Sequence, residues 1–230
     1  MVAATTEALA AAADPGRAPA MQAYMKSDMP YLGVSLPKAR ALTKAAAAEH
    51  PPASVIALGA TAAVLWRTAT HREQRYAATE LTGLRQAERA LKLLPLYEEM
   101  IVTGAWWDHV DAVALRLGRL LVDHPARLRP LLLAWSTSAD RWLRRASIVA
   151  QLGAKSRTDV DLLARVIDAN ATDGDFFIRK AIGWSLRDYT RSDPEWVRGF
   201  VAARASTLSG LSRREATKHL MMTPDRQTAG

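Results

Sequence analysis

The hexapeptide WLRRAS, residues 142–147, is one of four stretches of the chain that superpose: EQRYAA at 73–78, DHVDAV at 108–113 and FIRKAI at 177–182 follow the same pattern. Their fifth positions are Ala77, Ala112, Ala146 and Ala181, a period of 34 or 35 residues. Between and around these stretches apolar residues recur three and four apart, and alternating strand patterns are absent beyond residue 20. A period of this length with helical spacing predicts an all-α solenoid of helix pairs, in which a small residue recurs where neighbouring helices approach closely. A tetratricopeptide array has nearly the same period, but its W-x-x-L-G-x-x-Y signature is missing. Short HEAT-like repeats fit better.

Helix breaks are expected at Pro30 to Pro37, Pro51-Pro52, Thr68 to His71, Thr103-Gly104, His124-Pro125, Ser138 to Asp140, Lys155 to Thr158, Thr172 to Gly174 and Ser192 to Pro194. Residues 1–20 form an alanine-rich segment that reads as a short helix, 21–222 as one repeat domain, and 223–230 as a flexible tail.

With 230 residues and 49% apolar content the chain can bury a core without staples. It has no cysteine, which excludes disulfides, thiol catalysis and cysteine-based zinc sites, and its five histidines show no ligand spacing. Neither metal nor organic cofactor is expected. No apolar run reaches the roughly 18 residues of a membrane span, so the expected location is the cytoplasm, with no membrane partner. Lys and Arg exceed Asp and Glu by 31 to 23, a net charge of +8 that suits a polyanion.

In a solenoid the residue before each register alanine falls in one row, here Tyr76, Asp111, Arg145 and Lys180. Helical spacing adds Trp107, four residues before Asp111, and Trp184, four after Lys180. A helical wheel puts Val110, Val113, Leu117, Leu120 and Leu121 on the buried face with Trp106, leaving Trp107 and Asp111 at its margin. Trp106 is therefore the core member of the WW pair, and Asp108 a first-turn residue favoured by the helix dipole. Arg145 projects into an apolar sector. Two readings of it stand open: an ion-pair partner of Asp111 holding two repeats together, or a functional cation. Trp184, with Lys180 and Arg187 a turn to either side, interleaves an aromatic with cations as nucleic-acid surfaces do.

WWDHVD, WLRRASI, FFIRKAIGWSLRDY and LSRREATKHL, with YMKSDMPYLGVSLPKAR near the start, together resemble the AlkD-like DNA alkylation repair enzymes, alkylpurine DNA glycosylases built of HEAT-like repeats. The similarity runs from Tyr24 to Leu220 and is weakest over His50 to Ala60. It implies a right-handed solenoid whose concave face grips double-stranded DNA and releases cationic N3- or N7-alkylated purines such as 3-methyladenine and 7-methylguanine, without flipping the base. Carried across, the catalytic cleft is Trp107, Asp111, Arg145 and Trp184. Tyr24, Lys180, Arg187, Arg213, Arg214 and Lys218 would contact DNA. The implied enzyme is a monomeric, monofunctional hydrolase associated with the nucleoid. The alternative is a noncatalytic repeat protein that binds damaged or branched DNA. A protein scaffold, the third class, calls for an apolar or acidic row, unlike the aromatic and basic row here.

Overall fold

Five helix N-caps mark the repeat in the computed structural model, which describes residues 1–220. His71, Trp106, Asp140, Asp175 and Ser209 each precede a helix, at intervals of 35, 34, 35 and 34 residues. Asp140 and Asp175 accept backbone N–H bonds from two residues each, and Ser209 from one, so the caps are chemically specified where the register places them. The described residues form thirteen α-helices and no strand. None of these helices is long and apolar enough to cross a membrane. The tail expected from residue 223 lies outside the described residues.

The chain divides into two compact units, Met1–Met100 and Ile101–Gly230. The first holds α1 (Val2–Ala11), α2 (Ala18–Met25), α3 (Leu36–Glu49), α4 (Val55–Arg67) and α5 (Arg72–Leu81). Helix α5 packs on α1, α3 and α4. The alanine-rich start is thus built into this unit: Leu9 is fully buried in one cluster with Val34, Ala39 and the register residue Ala77. Glu73 is also fully buried, which an ionised group tolerates only when its oxygens are satisfied. It accepts backbone N–H bonds from Leu32 at 2.9 Å, Gly33 at 2.9 Å and Val34 at 3.0 Å, tying the loop before α3 to α5.

Three breaks differ from expectation, one of them at residues 204–209, which is absent from the expected set. Helix α5 ends at Leu81 and no α-helix resumes before α6 (Leu94–Gly104), a gap signalled in sequence only by the isolated Gly83. The break expected at Thr103-Gly104 falls at Ala105, whose φ of 41° places a non-glycine residue in the left-handed region.

In the second unit α7 (Trp107–Asp123), α9 (Arg141–Val149), α11 (Phe176–Tyr189) and α13 (Gly210–Thr217) pack in succession as one layer. Helices α8 (Pro125–Ser136), α10 (Val160–Asp168) and α12 (Pro194–Ala203) pack against them as the other. Ala146 and Ala181 are fully buried as the register requires, but Ala112 is only half-buried. The reason is that α7 meets the next repeat closest further along, at Gly118. A Cβ built there would lie 1.9 Å from the Ala150 carbonyl oxygen, so only glycine fits.

Candidate functional site

The left-handed turn at Ala105 directs the two tryptophans apart. Trp106 keeps an extended backbone as the N-cap of α7, and Trp107 opens the helix. The Trp106 ring lies 6.0 Å from that of Trp142 and 5.3 Å from that of Phe177, which is itself 5.1 Å from Trp142. These three rings join the first turns of α7, α9 and α11 into one apolar cluster. Trp107 instead stays 37% exposed, one turn before Asp111 on the same helix.

Val110, Val113, Leu117 and Leu120 are fully buried, and they carry Asp111 inward with them to 9% exposure. Arg145 of α9 is buried to 5% and meets it with a two-pronged contact: Nε donates to Oδ1 and Nη2 to Oδ2, each at 2.7 Å. Its remaining Nη1 donates to the Phe177 carbonyl at 2.6 Å. The planar guanidinium fork matches both carboxylate oxygens at once, which fixes the Asp111 plane. Burial pushes the Asp111 carboxyl above the ordinary aspartate range, the hydrogen bonds and charge of Arg145 pull it back, and the Asp108 carboxylate adds to the push. Each Asp111 oxygen retains a second lone pair, so the pair leaves the carboxylate able to accept from a water. Arg145 is buried, and each of its three nitrogens donates one of these bonds, so the ion-pair partner of Asp111 foreseen in the sequence is present in the structure.

Trp184 is 38% exposed on α11. It lines a cavity with Arg187, Asp188, Arg191, Lys218 and His219. Lys180 and Arg187, expected to be DNA-facing cations, are both paired in this structure: Lys180 Nζ donates to Glu215 Oε1 at 2.6 Å and Arg187 Nη1 to Glu215 Oε2 at 2.5 Å. Sequence reasoning missed Glu215, yet the register held the signal. Counting 34 residues beyond Ala181 lands on Glu215, which stands where the other repeats carry alanine. Its Cβ faces Gly183, where an added Cβ would come within 2.5 Å, so α11 leaves room for the larger residue. Lys180 draws the Glu215 carboxyl below the ordinary glutamate range, with Arg187 and Lys218 adding to the effect against a smaller opposing push from burial. Arg213, Arg214 and Lys218 are at least partly exposed. Tyr24, on α2 of the first unit, is 79% exposed. Among the described residues no three His, Asp or Glu side chains gather as a metal site requires.

The family described as "DNA alkylation repair enzyme" matches residues 5–220. The chain belongs to that family. Among solved structures it is similar to a "Predicted DNA alkylation repair enzyme from Enterococcus faecalis", with a TM-score of 0.82 and 31% identity over 92% of this chain and 98% of that one. No curated protein matches it.

For a DNA alkylation repair enzyme the distribution of these groups is informative. Trp107, Asp111, Arg145 and Trp184 all lie in the second unit, on three consecutive helices of one layer. Asp111 and Arg145 touch; Trp107 and Trp184 each remain partly open to solvent. The arrangement supplies one oriented, water-shielded carboxylate, two indoles able to lie against a cationic or planar group, and cations on α11 and α13. Such a set has the chemistry to stabilise positive charge and to meet a polyanion.

Proposed function

We propose that the protein is a monofunctional DNA glycosylase that hydrolyses the N-glycosidic bond of N3- or N7-alkylated purines in duplex DNA. The observation that carries this reading is the buried Asp111 carboxylate, held in one plane by Arg145 while Trp107 stays exposed one turn away. An alkylated purine already bears a positive charge, so no general acid is needed to release it. The C1′–N bond breaks with its electron pair passing to the purine, which departs neutral. The sugar becomes an oxocarbenium-like cation, and a water oxygen adds to C1′ with loss of its proton to Asp111 or solvent. A fixed carboxylate opposes the developing charge without reorganising, as carboxylates do at the anomeric carbon of glycosides. Trp107 and Trp184 present electron-rich faces to the cationic sugar and exclude bulk water, which strengthens the carboxylate's field. Arg213, Arg214 and Lys218, on and just after α13, would hold backbone phosphates, as would Tyr24.

A second reading, a noncatalytic binder of damaged or branched DNA, is favoured by one observation: both Asp111 oxygens are already bonded to Arg145. The two readings separate when purified protein is incubated with a duplex carrying a single 7-methylguanine. Release of free base, with strand cleavage appearing only after alkali, supports the glycosylase. Tight binding with no base released supports the binder.

A further inference from the structure

Glu215 is out of place in its repeat. At the equivalent register position the four preceding repeats carry Ala77, Ala112, Ala146 and Ala181, and the alternative here is a carboxylate that both Lys180 and Arg187 reach from α11. The Glu215 and Arg187 side chains are half-buried, and the close approach of the Glu215 Cβ to Gly183 sets the base of the glutamate against α11. Arg187 also lines the cavity beside Trp184, whose wall includes Lys218, a third cation that acts on Glu215. An anion with two or three oxygens entering that cavity meets Arg187, Arg191 and Lys218, with the Asp188 carboxylate also in the wall, and Arg187 is the cation it would share with Glu215.

We propose that Glu215 is a resident counter-charge occupying a phosphate subsite formed by Lys180, Arg187 and Lys218 beside Trp184, which a DNA backbone phosphate must take over from it. Exchanging one anion for another yields less than binding to unpaired cations, so Glu215 lowers the affinity for undamaged duplex and leaves binding to depend more on the contacts made elsewhere at a lesion. This rests on the reading of DNA as the ligand, but not on base release.

The test is binding of the full chain to an undamaged, fluorescently labelled duplex, followed by anisotropy at several salt concentrations, for the parent, Glu215→Gln and Glu215→Ala. The alanine variant restores the residue of the other repeats and keeps the Cβ that packs at Gly183. Both variants should bind about tenfold more tightly, and the slope of log affinity against log salt should steepen by about 0.9 for each phosphate newly neutralised. Lys180→Met completes a cycle: it should cost little affinity in the parent and clearly more in the Glu215→Gln background. Unchanged affinity and slope in both variants would show that these cations do not meet phosphate, and weaker binding would make Glu215 a residue that orients them productively; either overturns the proposal. Release of 7-methylguanine is scored separately on the same proteins. Tighter binding of the variants by a protein that releases no base removes the glycosylase reading and keeps the subsite, while base release with unchanged binding does the reverse.

Discussion

Arg145 links three repeats: its guanidinium grips both oxygens of Asp111 on the layer's preceding helix and the carbonyl of Phe177 on the following one. One buried side chain thereby fixes the carboxylate and locks three consecutive helices of the layer. In the proposed mechanism the contact that orients the carboxylate is the same one that holds the helices together.

Replacing Asp111 with Asn keeps the size of the side chain and removes the charge that opposes the cationic sugar. Base release from a 7-methylguanine duplex should fall by about a hundredfold or more, the usual scale for a preorganised electrostatic contact. Binding should not fall with it, because deleting a negative charge near a polyanion does not weaken attraction. Single-turnover release and duplex binding at equal salt, measured on one preparation, check this. Parallel loss of both with the melting temperature unchanged would return Asp111 to a purely structural role.

Arg145→Ala leaves the Asp111 carboxylate buried without its partner. The expected cost is about 3–5 kcal/mol, the range for breaking a buried pair from one side, read by denaturant unfolding. Combining Asp111→Asn with Arg145→Met, which removes both charges, should recover much of that stability and none of the activity.

Because burial holds the Asp111 carboxyl above its ordinary range, base release should decline on the acid side at a pH above that of an ordinary aspartate, about 3.9. Asp108→Asn removes one of the upward influences, so its acid limb should shift to lower pH. Stability runs the other way. A carboxyl whose pKa is higher folded than unfolded binds more protons in the native state, so its contribution is complete below the unfolded value and is lost as pH rises through the folded one. Ionisation of Asp111 is thus less favourable in the folded chain than in the unfolded one. A pH–rate profile unmoved by Asp108→Asn would show that another group sets the acid limb.

Trp106→Ala empties the shared position between Trp142 and Phe177 and should destabilise by about 3 kcal/mol. Trp107→Ala, at an exposed site, should change the melting temperature little and slow base release instead. Paired thermal melts and release assays distinguish the two; the opposite assignment would require Trp106→Phe to abolish activity in a folded protein while Trp107→Phe does not.

The helical repeat was legible because it is written twice, in apolar spacing and in the small residues of the register. The buried face of α7 was legible for the same reason, since Val110, Val113, Leu117 and Leu120 recur on it, whereas Trp106 at its start is only half-buried. Less visible was the long gap after Leu81, where no proline or glycine cluster marks the chain, and the burial of Leu9, whose partners Val34, Ala39 and Ala77 lie far along the sequence. Charge partners were the least legible. Glu215 stands beside two arginines in sequence, and nothing local indicates that its oxygens reach Lys180 and Arg187 one repeat earlier.

The contact between Gly118 and the Ala150 carbonyl acts as a pivot for the chemistry two turns away. Asp111 lies seven residues before Gly118 on α7, and Arg145 five before Ala150, so both ends of the ion pair are carried on backbones that meet at this point. A methyl group there must lever α9 away from α7, and the 2.7 Å bonds between carboxylate and guanidinium have no slack to absorb the displacement. The reach of the site therefore extends to a residue that bears no functional group, and its sensitivity to substitution follows from leverage rather than from proximity.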